Sequence, residues 1–165
     1  MNKVLTNKIL KMVKSDQDMR FGVAKGKRDW DSNIDKVNTQ TLKQILKKYG
    51  WPDNKLVGKK ASIGPWLLAQ HADHDLNFQK RCLKLMQQKA KDNLIDPMYI
   101  AYLTDRVLVS QGKWQLYGTQ FYRNKSGDMK ERPIKDRKKL SQRRKSLGLE
   151  PFSEYKKLMT NKRGS

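Results

Sequence analysis

The sequence predicts a mainly α-helical domain of five to six helices with one β-hairpin after the central helices, and three observations carry that prediction. Apolar residues recur at helical spacing over most of the chain up to Gly112. Proline and glycine stand where those stretches start and stop. Beyond Gly112 the spacing turns extended and aromatic around the turn Asn124-Lys125-Ser126-Gly127.

Taken in order, Val4, Leu5, Ile9, Met12 and Val13 form a short amphipathic helix. Ser15 to Asn33 is polar, contains Gly22 and Gly26, and reads as an ordered loop or irregular lid. A second stripe, Val37, Leu42, Ile45, Leu46 and Tyr49, ends at Gly50-Trp51-Pro52, a glycine stop followed by a proline. The longest expected helix starts at Pro65 and runs to about Ala90. Asp96-Pro97 opens a further helix that ends at Gly112 and has almost no polar face, which marks it as the most buried. The hairpin follows, with strands over 114–122 and 128–134. A basic helix from Asp136 to Ser146, stopped by Gly148, and a short one from Pro151 to Met159 complete a single domain over 1–160, with 161–165 a disordered tail.

The composition narrows the function classes. A chain of 165 residues holds one core of ordinary size. No apolar run approaches the roughly 20 residues that cross a bilayer, and the first residues alternate apolar with basic types; a cytoplasmic protein without a signal peptide or membrane partner is expected. Cys82 is the single cysteine, which excludes an intramolecular disulfide and a cysteine-rich zinc site. The formal charge of +21 is concentrated late: residues 123–165 hold 15 Lys and Arg against 5 Asp and Glu. Such a field draws polyanions, nucleic acid or nucleotides, although a lysine-rich solvated surface would look the same.

On a continuous helix from Pro65, His71 and Asp75 fall inside the apolar arc one turn apart, His74 lies at its edge and Asp73 faces water. Asp75 would then orient His71 for general acid or base work, with His74 a second acid/base group. A divalent metal on His71, His74 and Asp75 is a second use of the same side chains. A satisfied buried His71–Asp75 pair that ties helices together is the structural alternative. Asp105 falls among Ala101, Met98, Val109 and Tyr102, so it must be paired, hydrogen-bonded or protonated; it joins the catalytic candidates. Arg106, Tyr102, Gln115, Tyr117, Thr119 and Gln120 supply donors and acceptors for a polar substrate, with Gly118 permitting close approach. Lys138, Lys139, Arg143 and Arg144 are the expected nucleic-acid contacts.

Gly50-Trp51-Pro52, the stretch Trp66 to Asp75, Ala101-Tyr102-Leu103-Thr104-Asp105-Arg106-Val107, Gln115 to Gln120, and Arg144 with Gly148-Leu149 together resemble a bacterial family known only as a domain of unknown function. The resemblance spans roughly residues 35–155. It implies that these stretches belong to one site and brings no activity. The leading expectation is a hydrolase or transferase acting on a phosphate-bearing substrate, a nucleotide or nucleic acid, through a His/Asp pair. The alternatives are a non-catalytic basic nucleic-acid-binding or protein-interaction module, and a toxin or effector domain.

Overall fold

The computed structural model describes residues 1–161, and the expected tail at 161–165 therefore lies, but for Asn161, outside the described residues. The fold is mainly α, as expected, with eight α-helices and a two-stranded antiparallel hairpin among the described residues. The chain divides into two compact units, one from Met1 to Ile95 and one from Asp96 onward.

The first unit contains α1 (Lys3–Ala24), α2 (Ser32–Tyr49), the single turn α3 (Asn54–Val57), α4 (Gly64–Gln70) and α5 (Leu76–Ala90). Helix α1 is twice as long as the apolar stripe suggested, because the inward face continues through a carboxylate: Leu5, Ile9, Met12, Asp16 and Met19 are all buried. The expected loop from Ser15 is thus helical as far as Ala24, and only the segment between α1 and α2 is irregular. In α2 the buried residues are Asn38, Thr39, Leu42, Ile45 and Leu46, so the stripe is more polar than its sequence suggested and Val37 faces outward. Gly50 ends it at φ 68°, a left-handed conformation that glycine adopts without a Cβ clash.

The long helix expected over 65–90 is interrupted. Helix α4 stops at Gln70, and α5 begins after Asp75, whose carboxylate accepts the Phe78 N–H at 2.9 Å as an N-cap. The fully buried Gln79 holds the intervening turn: its amide donates to the carbonyls of Ala69 and Gln70 at 3.2 Å and to Asp73 Oδ1 at 3.1 Å. Helix α4 lies close on α1 because Gly64 carries no side chain; a Cβ there would sit 2.5 Å from Ile9 Cγ2. Phe78, Cys82 and Met86 of α5 close the core, and burial pushes the Cys82 thiol up to about 12.

The second unit contains α6 (Pro97–Ser110), β1 (Phe121–Arg123), β2 (Met129–Glu131), a 3-10 turn at Arg137–Lys139, α7 (Leu140–Ser146) and α8 (Phe152–Thr160). Asp96 caps α6 and Pro97 occupies its first turn, as the sequence predicts, and no residue from Met98 to Val109 is exposed. The hairpin pairs Phe121 with Glu131, Tyr122 with Lys130 and Arg123 with Met129. It is shorter than expected, since Gln115 to Gln120 forms an irregular loop, tied to the returning chain by a bridge between Gln115 and Ile134, by the Arg132 N–H on the Gln120 carbonyl and by the Gln115 amide on the Arg132 carbonyl.

Candidate active site

The break between α4 and α5 decides what His71 meets. Once α4 has ended at Gln70, the helical stacking of His71 over Asp75 no longer applies, and the two side chains take different partners. Asp75 pairs with Lys43 of α2 at 2.6 Å, and the hydrogen bond from Lys43 holds its carboxyl below the usual range. The expected His71–Asp75 pair is therefore corrected, whether read as catalytic or as structural. His71 points instead at α1, where its Nδ1 lies 2.8 Å from Oδ1 of the fully buried Asp16.

Around that contact a compact network forms. Arg20, one turn beyond Asp16, places Nε 3.2 Å from Asp16 Oδ1 and 3.0 Å from His71 Nδ1, and its Nη2 donates to Asp35 of α2 at 2.7 Å. The guanidinium also lies 4.8 Å from the ring centre of Trp30, in cation–π range. Burial works to raise the Asp16 carboxyl, but hydrogen bonds from His71 and Gln17 and the charges of His71 and Arg20 hold it below the ordinary aspartate range. His71 Nδ1 thus stands between the Asp16 carboxylate, which accepts, and the Arg20 Nε–H, which donates, and the imidazole tautomer decides which of the two bonds it makes. Asp16 stands against His71 where Asp75 was expected.

His71 also lines a pocket of about 260 Å³ shared with Arg20, Trp30, Ser32, Asp35, Lys36, Asp73 and His74. His74 is exposed and stands at this pocket. The trio His71, His74 and Asp75 does not converge as a metal site; among the described residues, Asp16, Asp35 and His71 do, with ligating atoms all within 4.8 Å of one another. In this structure the charge those groups share is that of Arg20. Asp16, Arg20, Trp30 and Asp35 escaped the sequence reading. The available signal was the spacing of Leu5, Ile9, Met12, Asp16 and Met19, which continues one helical stripe.

The other candidates lie in the second unit and form a different kind of cluster. Asp105 is fully buried and accepts N–H bonds from Leu116 at 2.7 Å, Tyr117 at 3.0 Å and Thr119 at 3.0 Å, together with the Thr119 hydroxyl at 3.0 Å. Burial pushes its carboxyl above the usual aspartate value, against the pull of those bonds. Gln115, also fully buried, donates to the carbonyls of Gln120 and Arg132 and accepts from the Gln120 N–H. Arg106 reaches Gln120 Oε1 at 3.4 Å, and Gln120 in turn donates to the Thr119 hydroxyl. Tyr102 packs edge-on against Tyr155, whose hydroxyl donates to the Thr119 carbonyl. Asp105, Gln115 and Thr119, expected as catalytic and substrate-binding groups, are thus buried and bonded to the loop itself. Gly118 permits this fold at φ 71°, where a Cβ would meet the Phe152 ring at 2.7 Å.

The basic candidates divide in the same way. Arg144, expected as a nucleic-acid contact on the surface, is buried, with Nε on the Glu150 carbonyl at 2.7 Å and Nη1 on the Tyr117 carbonyl at 2.6 Å. Arg143 is half-buried and donates to the carbonyls of Leu116, Lys135 and Asp136. Lys138 and Lys139 are exposed, as expected.

A family model described as a family of unknown function, DUF6624, matches residues 4–165. The chain belongs to that family. The resemblance seen in the motifs is thereby extended to nearly the whole sequence, both units included. No curated protein and no solved structure matches the chain. Of the motifs that carried the resemblance, the DUF6624 stretch from Trp66 to Asp75 builds the first-unit pocket, while the stretches around Asp105, Gln115 to Gln120 and Arg144 are tied to one another within the second.

Proposed function

We propose that this chain is an enzyme, a hydrolase or transferase acting on a phosphate-bearing substrate, with His71 as general base or acid and Asp16 as the carboxylate that orients it. The observation that carries this reading is the 2.8 Å contact between His71 Nδ1 and a fully buried, ionised Asp16, made at the wall of an open pocket. A histidine fixed through one nitrogen presents the other to a water or hydroxyl whose proton must leave as it attacks phosphorus. Lys36 lines the same pocket and supplies positive charge for phosphate oxygens, Arg20 being held by Asp16 and Asp35, and His74 stands where a leaving oxygen could be protonated. The charge of +21 would concentrate anionic substrates near the protein. No helix among the described residues is long and apolar enough to cross a membrane, which fits a cytoplasmic setting for such an enzyme.

The test is a panel of nucleoside mono-, di- and triphosphates, dinucleotides and simple phosphate mono- and diesters, followed by phosphate release and chromatography. Turnover of at least one class is expected, with His71→Ala lowering it about a hundredfold to ten-thousandfold while the protein stays folded. Wild-type turnover in a folded His71→Ala protein, or no product across the panel, sinks the proposal.

A further inference from the structure

The second unit carries a surface that the acid/base site does not use. In the hairpin, Tyr122 and Lys130 are directly paired and so share one face, and Arg132, two residues along from Lys130, returns to that face. The Arg132 guanidinium lies 5.2 Å from the Tyr122 ring centre, which confirms the shared side. The opposite face is packed: Phe121 stacks with Phe152 at 6.5 Å and meets Tyr155 at 5.8 Å. Glu131 also lies there, bonded to Arg137 and Lys156 at 3.1 Å.

The outward face consequently carries one ring, Tyr122, between the cations Lys130 and Arg132, and a second exposed ring, Trp114, stands on the neighbouring segment. Tyr122 is 41% exposed and Trp114 61% exposed. Trp114 directly precedes Gln115, whose backbone pairs with Pro133 and Lys135 beside Arg132. Residues 113–145 hold 12 Lys and Arg against 3 Asp and Glu, and of those acids Glu131 and Asp136 are already in ion pairs. Charge alone would suit any polyanion. Exposed rings beside cations add a preference, because unpaired bases offer flat faces to stack on while their phosphates reach the flanking cations. An acidic protein offers charge without those faces, and a duplex keeps its bases stacked on one another.

We propose that the second unit binds single-stranded nucleic acid across the outward face of its hairpin, with bases stacked on Tyr122 and Trp114 and phosphates held by Lys130 and Arg132. The experiment uses the full chain and a fluorescein-labelled oligouridylate of about 12 nucleotides, a length within the range such surfaces cover. Anisotropy is read at two salt concentrations, with a duplex of equal length and polyglutamate as competitors. Tyr122→Ala and Trp114→Ala are each expected to weaken binding about fivefold to a hundredfold, Tyr122→Phe to stay within about twofold, and Lys130→Glu to weaken it with a flatter salt dependence. Both tyrosine and tryptophan lie on the surface, so these variants should keep the wild-type circular dichroism and melting profile. Unchanged binding in both alanine variants overturns the proposal in favour of charge alone. Equal competition by polyglutamate overturns it in favour of an acidic protein partner, and equal competition by the duplex removes the preference for single strands.

Discussion

Each of the two units is built around an aspartate with no exposed surface, and the two differ in what surrounds the carboxylate. Asp105 is held by backbone N–H groups and a threonine hydroxyl, none of which titrates near neutral pH. Asp16 is held by Gln17 and by a histidine and an arginine that themselves line a pocket. A carboxylate whose partners are backbone fixes the path of the chain, whereas one whose partners are a histidine and a cation sets a proton inventory. The two carboxylates are equally buried, and the identity of the partner separates them.

The largest expected effect follows from removing the backbone-holding member. Asp105→Ala leaves the buried N–H groups of Leu116, Tyr117 and Thr119 without an acceptor and should cost about 3–5 kcal/mol in urea denaturation. A loss below about 1 kcal/mol would show that the loop does not depend on it. Arg144→Lys should follow at about 2–3 kcal/mol, because a lysine cannot reach the carbonyls of both Tyr117 and Glu150 while keeping the guanidinium's contact with Phe152 and Tyr155. Asp16→Asn keeps the shape and removes the charge; a smaller stability loss of about 1–2 kcal/mol is expected, together with a fall in any phosphate-transfer activity that the Asp105 position does not share. Equal stability losses in Asp16→Asn and Asp105→Ala, with activity intact in the former, would erase the distinction drawn between the two carboxylates.

Proton titration sharpens the same contrast. The folded-state value of Asp16 is lowered, so its contribution to stability is present above the unfolded value of about 4 and is lost as pH falls through the folded one. The folded-state value of Asp105 is raised, so its contribution has the opposite sign: fully present below about pH 4 and lost as pH rises through the folded value. Carboxyl-carbon NMR should therefore show Asp16 titrating below ordinary aspartates and Asp105 above them; the reverse order would contradict the assigned causes. The smallest effect is expected at Lys138 and Lys139, where paired charge reversal on an exposed surface should change stability by less than about 0.5 kcal/mol.

Much of the fold was legible because punctuation residues act locally. Asp96-Pro97 and Gly50-Trp51-Pro52 placed helix boundaries within a residue or two, and Asn124 to Gly127 placed the hairpin turn. Two features were not legible for one physical reason, which is that polar residues in a core carry no periodic apolar signal. Asp16 interrupts the apolar stripe of α1 and makes the second half of that helix resemble a loop. Between Gln70 and Leu76 no glycine or proline announces a break, and the turn is stabilised instead by the Asp75 cap and the Gln79 amide, which sequence spacing alone does not reveal. The sequence singles out His71, while the carboxylate it meets lies 55 positions earlier. Pairings of that kind depend on how helices pack.

The sealed thiol of Cys82 offers an internal clock for the first unit. A side chain with no exposed surface and a thiol pushed up to about 12 is protonated and shielded from reagents at neutral pH. Its reaction with an aromatic disulfide can then proceed only through openings of α5, and the labelling rate at low reagent concentration counts how often that helix lifts from the core. The one cysteine of the chain thereby makes local breathing measurable without introducing any probe.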